Sequence, residues 1–324
     1  MASQPRVARS SECARQAATA AASSTASELA SLRAPSPASP DPGALVGVTG
    51  QGAWIVLVPV KELGAAKTRL AVPHRERVAL AMAVDTVSAA AAATLVRAVV
   101  VITDDPRALA ALALAGAPGT PVTVLPDAPR AGLNPALRHA AEVAAARFPD
   151  AGLAALAGDL PALRPAELDR ALAAAAAVGG RAFVADAAGA GTVLLCATSG
   201  VGLGPAFGRD SRDAHAGSGA SDLTSALGTE VAGLRRDVDT PSDLWAAAAL
   251  GLGPQARQAT TPDQATVRRW SVGTGGDAVR DDGSLVELPP DAVTAAGPRL
   301  LRPGQRVRLE SDGGRVRRVT LLTL

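Results

Sequence analysis

From Trp54 onward, short unbroken apolar runs alternate with longer segments whose apolar residues recur at helical spacing. WIVLVPV (54–60), AVVVIT (98–103), PVTVLP (121–126), LAALAGD (153–159), AFVAD (182–186) and TVLLCA (192–197) read as strands, the first as a strand buried on both faces. GLRRDVD (233–239) reads as a last strand. The intervening segments read as helices: RERVALAMAVDTVSAAAAATL, one opened by Asp105 and Pro106, one capped by Asn134 with Pro135 in its first position and ending at Arg147, and one from Pro165. TPSDLWAAAAL closes the series, with Thr240 as N-cap, Pro241 in the first helical position and Asp243 in the first turn. Strands and helices alternating at this spacing predict an α/β fold over residues 53–253, with a mostly parallel sheet covered by helices on both faces. Ligands of such sheets bind beyond the carboxyl ends of the strands, so the chemistry is expected in the loops there.

The flanks have other textures. Residues 1–52 are rich in Ala, Ser and Pro and lack a sustained apolar period, which predicts a disordered extension. Residues 254–264 read as a linker. Residues 265–324 hold short strand patterns (ATVRRWSV, SLVELP, QRVRLE, RVRRVTLLTL) separated by DDG, RPG and DGG turns, a small all-β module.

Composition narrows the picture. Hydrophobic residues make up 48% of the 324, yet aromatics only 2%, so the core must be built from Ala, Val and Leu. A net charge of +2 gives no broad electrostatic footprint for nucleic acid or membrane. Cys13 and Cys196 fit no metal or disulfide spacing and read as unpaired thiols in a reducing compartment. No apolar run reaches membrane-spanning length and the N-terminus has no signal-type apolar region, which predicts a cytoplasmic protein.

Four loops carry candidate chemistry. The first is VPVKELGAAKTRL, which holds both lysines of the chain, Lys61 and Lys67, among 32 basic residues. With Arg69 and Gly64 it offers cations and backbone amides beyond strand one, as a triphosphate requires, although it is neither a Walker loop nor a GxGxxG fingerprint. Spacing alone fits a basic surface loop equally well. The second is AGDLPAL, where Asp159 ends an apolar strand and needs a cation or metal as partner. The third is RRDVDTPSD: Asp237 and Asp239, separated by one residue on a strand, project to one face and call for a cation between them, and hard oxygen ligands favour Mg2+. The fourth joins GAGTVLLCA to GPAFGRDSRDAHAGSGA, where Thr192, Gly208 and Ser211 let backbone approach an anion and Arg209 and Arg212 add charge, although its composition also suits a flexible loop. His74, His139 and His215 are isolated and fit structural or surface roles. Together these loops describe phosphoryl or nucleotidyl transfer, in which positioning and charge stabilisation do most of the catalysis.

WIVLVPVKELGAAKTRL, GLNPAL, LAGDLPAL, FVADAAGAGTVLLCA, FGRDS and RRDVDTPSDL, in this order, resemble the 2-phospho-L-lactate guanylyltransferase family, whose actinobacterial members use phosphoenolpyruvate in coenzyme F-420 biosynthesis. The resemblance covers about 54–253 and implies the Rossmann-like fold of nucleotide-diphospho-sugar transferases. It implies that Asp159, Asp237 and Asp239 hold Mg2+ and act in catalysis with Lys67. Lys61, Lys67, Arg69 and Asn134 would contact GTP, and Thr192, Gly208 and Ser211 would hold phosphoenolpyruvate. The implied reaction joins GMP from GTP to phosphoenolpyruvate, for passage to a downstream transferase. The alternative acceptors are 2-phospho-L-lactate and 3-phosphoglycerate. The Gly-rich LAGGxSxRxG signature of related nucleotidyltransferases is absent from the first loop. The C-terminal module resembles a degenerate cold-shock domain, an OB-type barrel. It has lost the aromatic-rich second strand, which leaves Trp270 as a stacking platform and its arginines for weak RNA contact. A protein that binds RNA through this module, with the α/β part as scaffold, is the alternative from a different class.

Overall fold

The structure, a computed structural model, describes residues 53–64, 67, 69–72, 74–294, 300–312 and 314–322. The extension read over 1–52, with Cys13, lies outside the described residues.

The α/β part runs β1 (Trp54–Pro59), α1 (Arg75–Ala91), β2 (Val96–Ile102), α2 (Pro106–Leu112), β3 (Val122–Leu125), α3 (Leu133–Arg147), β4 (Gly152–Leu156), α4 (Pro165–Val178), β5 (Arg181–Ala185), β6 (Thr192–Ala197), α5 (Ser211–Gly217), β7 (Ser221–Asp222), α6 (Thr224–Leu227) and α7 (Pro241–Leu250). The seven strands form one sheet in the order β3-β2-β1-β4-β6-β5-β7. Pairing is parallel throughout except at β6, which runs antiparallel to β4 and β5. This is a mostly parallel, Rossmann-like sheet within an alternation of strands and helices, as the apolar runs predict. Its core is aliphatic and small: Val56, Val58, Val99, Val101, Ala154, Leu156, Val184 and Leu194 are buried on the sheet. Trp54 lies so close over the start of β4 that a Cβ on Gly152 would fall 2.6 Å from its ring, so only glycine can open that strand.

Capping residues stop and start the helices as the sequence predicts at two places. The Asp105 side chain accepts from the Arg107 and Ala108 amides at the start of α2. At α7, Thr240 and Asp243 form a reciprocal capping box, with Pro241 in the first position.

Three expectations are corrected. First, GLRRDVD is no strand. Residues 232–235 turn and 236–238 are irregular. The segment passes across the ends of the strands instead of beside them: Ala187 N–H donates to Arg235 O (2.8 Å) and Val238 N–H to Asp159 O (3.2 Å). The sheet edge next to β5 is taken by the two-residue β7. Second, residues expected in a linker form α8 (Pro254–Thr260). Buried Asp85 on α1 accepts from the Gln255 and Ala256 amides (3.0 and 2.7 Å) and so caps a helix remote in sequence. Third, Asn134 lies inside α3, whose N-cap is Gly132.

The C-terminal strands are β8 (Asp263–Ser271), β9 (Gly275–Arg280), β10 (Leu285–Leu288), β11 (Arg306–Asp312) and β12 (Arg315–Leu321), with a short helix α9 (Pro290–Thr294). They form an all-antiparallel sheet in the order β10-β9-β8-β11-β12 around Val267, Ala278, Leu288, Val307, Val316 and Val319. Trp270 is partly buried and packs against this core, with its Nε1 buried and without a partner among the described residues. Several arginines counted toward RNA contact are spent on acids: Arg268 and Arg269 both pair with Asp277, Arg280 with Asp263, Arg306 with Asp281 and Arg315 with Asp291. No helix among the described residues is long and apolar enough to cross a membrane.

Candidate active site

Beyond the carboxyl ends of β1 and β4 lies a cavity of about 650 Å3. The residues expected to hold substrate or metal line it, except Asn134: Lys61, Lys67 and Arg69 from the first loop, Asp159 after β4, Thr192 at the start of β6, Gly208 and Ser211 before and in α5, and Asp237 and Asp239 from the crossing segment. Because β6 runs antiparallel, its first residue reaches the same end of the sheet as the last residues of its neighbours.

Close backbone approach sets the acidic wall. A Cβ on Gly158 would sit 2.8 Å from Pro59 O, so glycine lets the chain leaving β4 pass the end of β1 and deliver Asp159. Val238 is fully buried while Asp237 and Asp239 on either side line the cavity, so the alternation expected of a strand survives without the strand.

Lys67 links the acids. It adopts a left-handed backbone (φ 54°) and is only 13% exposed. Its ammonium donates to Asp159 Oδ2 and, at 2.7 Å, to Asp239 Oδ1, while Arg69 reaches Asp239 Oδ2 at 2.7 Å. Burial works to lower the Lys67 pKa, but Asp159 and Asp239 outweigh it and hold the ammonium charged, above its ordinary value. Burial likewise opposes ionisation of Asp239, and Lys67 and Arg69 overcome it and depress that carboxyl. Asp237 differs. Among the described residues it has no ion-pair partner, and burial, reinforced by Asp159 and Asp186, pushes its pKa up to about 6. Lys61 is exposed and pairs with no acid among the described residues.

The expected three-carboxylate ligand set is not assembled: no three His, Cys, Asp or Glu side chains among the described residues are placed to share one ion. The Lys67 ammonium lies between two of the three acids instead. An unneutralised Asp237 beside further carboxylate oxygens nonetheless suits a hard divalent cation, which takes one or two protein carboxylates and completes its shell with phosphate and water.

The Thr192–Gly208–Ser211 side brings small uncharged residues to the cavity, with Arg209 between Gly208 and Ser211. Gly208 has a φ of 145°, open to glycine alone, and nothing within 4 Å of where a Cβ would stand. Ser211 and Thr192 are buried beside it. Asn134, expected to contact GTP, instead spends both ends of its amide on Phe207: Nδ2 donates to the carbonyl (2.9 Å) and Oδ1 accepts from the amide (2.8 Å). Arg212 is drawn away to Asp222 and Gly189 O, whereas Arg209 lines the cavity.

Sequence reasoning missed three supports. Asp186 accepts from the amides of Gly189, Ala190 and Gly191 (2.6, 3.0 and 2.9 Å) and shapes the β5–β6 turn; an Asp followed by AAGAG is a readable turn signal. Asp105, besides capping α2, accepts from Leu63 N–H (2.9 Å) and anchors the lysine loop. Burial would raise its pKa, but the Leu63, Ala108 and Arg107 hydrogen bonds prevail and lower it. His215 bonds to Thr192, which nothing in its sequence surroundings foretold. Cys196 is a buried free thiol whose pKa burial pushes up, so it is unreactive.

No family model matches the chain. Among curated proteins, the phosphoenolpyruvate guanylyltransferase of Frankia casuarinae is 45% identical over 267 residues, covering 76% of this chain and 91% of that protein. The proteins of the same name from Thermomonospora curvata and Streptomyces scabiei are each 52% identical, over 205 and 210 residues, covering 62% and 64% of this chain and 86% and 95% of theirs. Among solved structures, CMP:2-keto-3-deoxy-manno-octonic acid synthetase with CTP aligns at 15% identity and a TM-score of 0.36, over 61% of this chain and 98% of that one, a likeness that leaves the fold assignment to the strand order itself. Identity of 45% sustained over three quarters of the chain settles the kinship that the ordered motifs announced: the chain belongs to the phosphoenolpyruvate guanylyltransferase family.

Proposed function

We propose that this protein transfers the GMP unit of GTP to phosphoenolpyruvate, giving enolpyruvoyl-2-diphospho-5'-guanosine and pyrophosphate, in coenzyme F-420 biosynthesis. The observation that carries the reading is the meeting, in one cavity, of a lysine loop and carboxylates with the small residues Thr192, Gly208 and Ser211, in a chain of this family. A phosphate oxygen of phosphoenolpyruvate attacks the α-phosphorus of GTP, a new P–O bond forms, and the bond to the β-phosphate oxygen breaks with its electron pair leaving on pyrophosphate. No protein nucleophile is required. Lys67 and Arg69 supply positive charge for the triphosphate, with Lys61 at the exposed edge. Thr192, Gly208 and Ser211 hold the acceptor's phosphate and carboxylate. When bound, Mg2+ held by Asp237 with Asp159 or Asp239 would neutralise charge on the α-phosphate and the leaving group.

In this reading residues 53–253 are the catalytic domain, working in the cytoplasm where GTP and phosphoenolpyruvate are found. The 265–324 barrel is a structural or interaction module; its paired arginines and packed Trp270 weigh against RNA binding. A transferase that accepts the guanylylated product would follow. The test is pyrophosphate release from GTP and Mg2+ with each acceptor supplied separately. Phosphoenolpyruvate should be the fastest; a rate with 2-phospho-L-lactate or 3-phosphoglycerate far above it would overturn the choice of acceptor. Tight binding of single-stranded RNA on filters without any GTP turnover would overturn the enzymatic reading.

A further inference from the structure

His215 is fully buried and bonded at both ring nitrogens. The Ala206 amide can only donate, and it meets Nε2 at 3.0 Å, so Nε2 must carry a lone pair. The proton of a neutral ring is therefore on Nδ1, which faces Thr192 Oγ1 at 2.9 Å. Thr192 must then accept, and its own hydroxyl proton is left unspent by the pair. Among the described residues that hydroxyl has no other hydrogen bond, and Thr192 lines the cavity. The same ring holds the backbone leading to Gly208, through Ala206 and through an edge-on contact with Phe207 at 5.2 Å. Asn134 grips Phe207 from α3, so the 206–208 stretch is clamped from two helices.

We propose that His215 is a positioning residue for the acceptor: as the neutral Nδ1–H tautomer it turns the Thr192 hydroxyl into a donor aimed at the acceptor's anionic oxygen and fixes the backbone that approaches it. The proposal rests on Thr192 and Gly208 facing the acceptor, as in the proposed function. The ring's surroundings keep it neutral. Burial first, and then Arg181 on β5, push its pKa down to about 4, against a smaller opposing contribution from the Ser211 carbonyl on its own helix. β6 and the 206–207 stretch present Thr192 and Phe207 to it, neither charged.

Two measurements test this. Imidazole 15N NMR of the full-length wild type at neutral pH should report a neutral ring protonated on Nδ1; an imidazolium or an Nε2–H ring would overturn the proposal whatever the enzyme's substrate. Steady-state kinetics on His215→Asn, Thr192→Val and the double variant should show KM for phosphoenolpyruvate raised about ten- to a hundredfold in Thr192→Val, the loss of a hydrogen bond to an ion. His215→Asn, which keeps a donor near Nδ1, should fall between that and wild type, with KM for GTP within about twofold in each. The effects should be non-additive; full additivity, or an equal rise in KM for GTP, would overturn the proposal. If wild type turns over GTP with a different acceptor, the proposed acceptor fails and the same cycle is read with that acceptor. If a variant does not fold, the NMR result on wild type decides alone.

Discussion

The two walls of the cavity are built on opposite principles. The acidic wall is charged and half-exposed: Lys67 serves Asp159 and Asp239, while Asp237 has no ion-pair partner among the described residues and burial drives it toward protonation. The Thr192–Gly208–Ser211 side is largely bonded within itself, with both ends of Asn134 and both nitrogens of His215 satisfied before any ligand arrives. A wall that must receive a triphosphate and a cation cannot complete its own charge balance in advance. A wall that must orient a small anion gains from being rigid, because ordering it at the moment of binding would cost affinity.

Breaking the acidic wall should have the largest effect. Asp237→Asn is expected to lower turnover by roughly a hundred- to a thousandfold, as for loss of a principal charge stabiliser. The same substitution should raise stability without added cation by about 1–2 kcal/mol, since it removes a carboxylate that burial and like charges disfavour. Pyrophosphate release and thermal unfolding of one preparation read both. A variant that is less stable than wild type would mean Asp237 is held by something other than a ligand.

Next is the lysine asymmetry. Lys67→Arg should impair GTP use by about tenfold or more, because a planar fork cannot reproduce one ammonium shared by two carboxylates. Lys61→Arg, at an exposed position with no ion pair among the described residues, should stay within about threefold. Equal losses in KM for GTP would erase the distinction between them.

Asn134→Ala sharpens the comparison from the other side. It should raise KM for phosphoenolpyruvate by about tenfold, through loss of the Phe207 clamp. The preference for GTP over ATP should be unchanged, and a shift in that preference would return Asn134 to contact with GTP.

The smallest effect is on pH. The Asp237 pKa in the folded protein, about 6, lies above its ordinary 3.8, so its contribution favours the cation-free fold below the lower value and is lost as pH rises through the higher one. A bound cation must displace that proton, so Mg2+ affinity should climb between about pH 5 and 7 by calorimetry. His215 has the opposite sign: its depressed pKa favours the fold above the ordinary 6.5, and that is lost as pH falls through about 4. The two windows overlap between about pH 4 and 6 with opposite slopes, so the contributions largely cancel in the wild type, and Asp237→Asn should uncover the His215 slope, with cation-free stability rising with pH there.

Apolar runs made the sheet legible because a strand covered on both faces leaves little room for polar residues, and Thr240–Pro241–Asp243 made the last helix legible because capping is local chemistry. GLRRDVD misled for the same reason. Alternation about Val238 marks an extended segment with one buried face, and the sheet is not the only surface that can bury it. Asp85 capping α8 and Asn134 clamping Phe207 span 170 and 73 positions, beyond the reach of any local pattern.

By itself the sequence determined the α/β alternation, the loops that hold the chemistry, and the residue types that suit a triphosphate, a cation and a small anion, because these follow from neighbours along the chain. Only the tertiary structure decided which of those groups are already satisfied. It set Lys67 between Asp159 and Asp239, left Asp237 without an ion pair among the described residues, turned Asn134 to the backbone and set His215 behind Thr192. A side chain's charge state and free hydrogen bonds depend on partners brought from distant positions and on the water they exclude, and neither is written in its immediate neighbours.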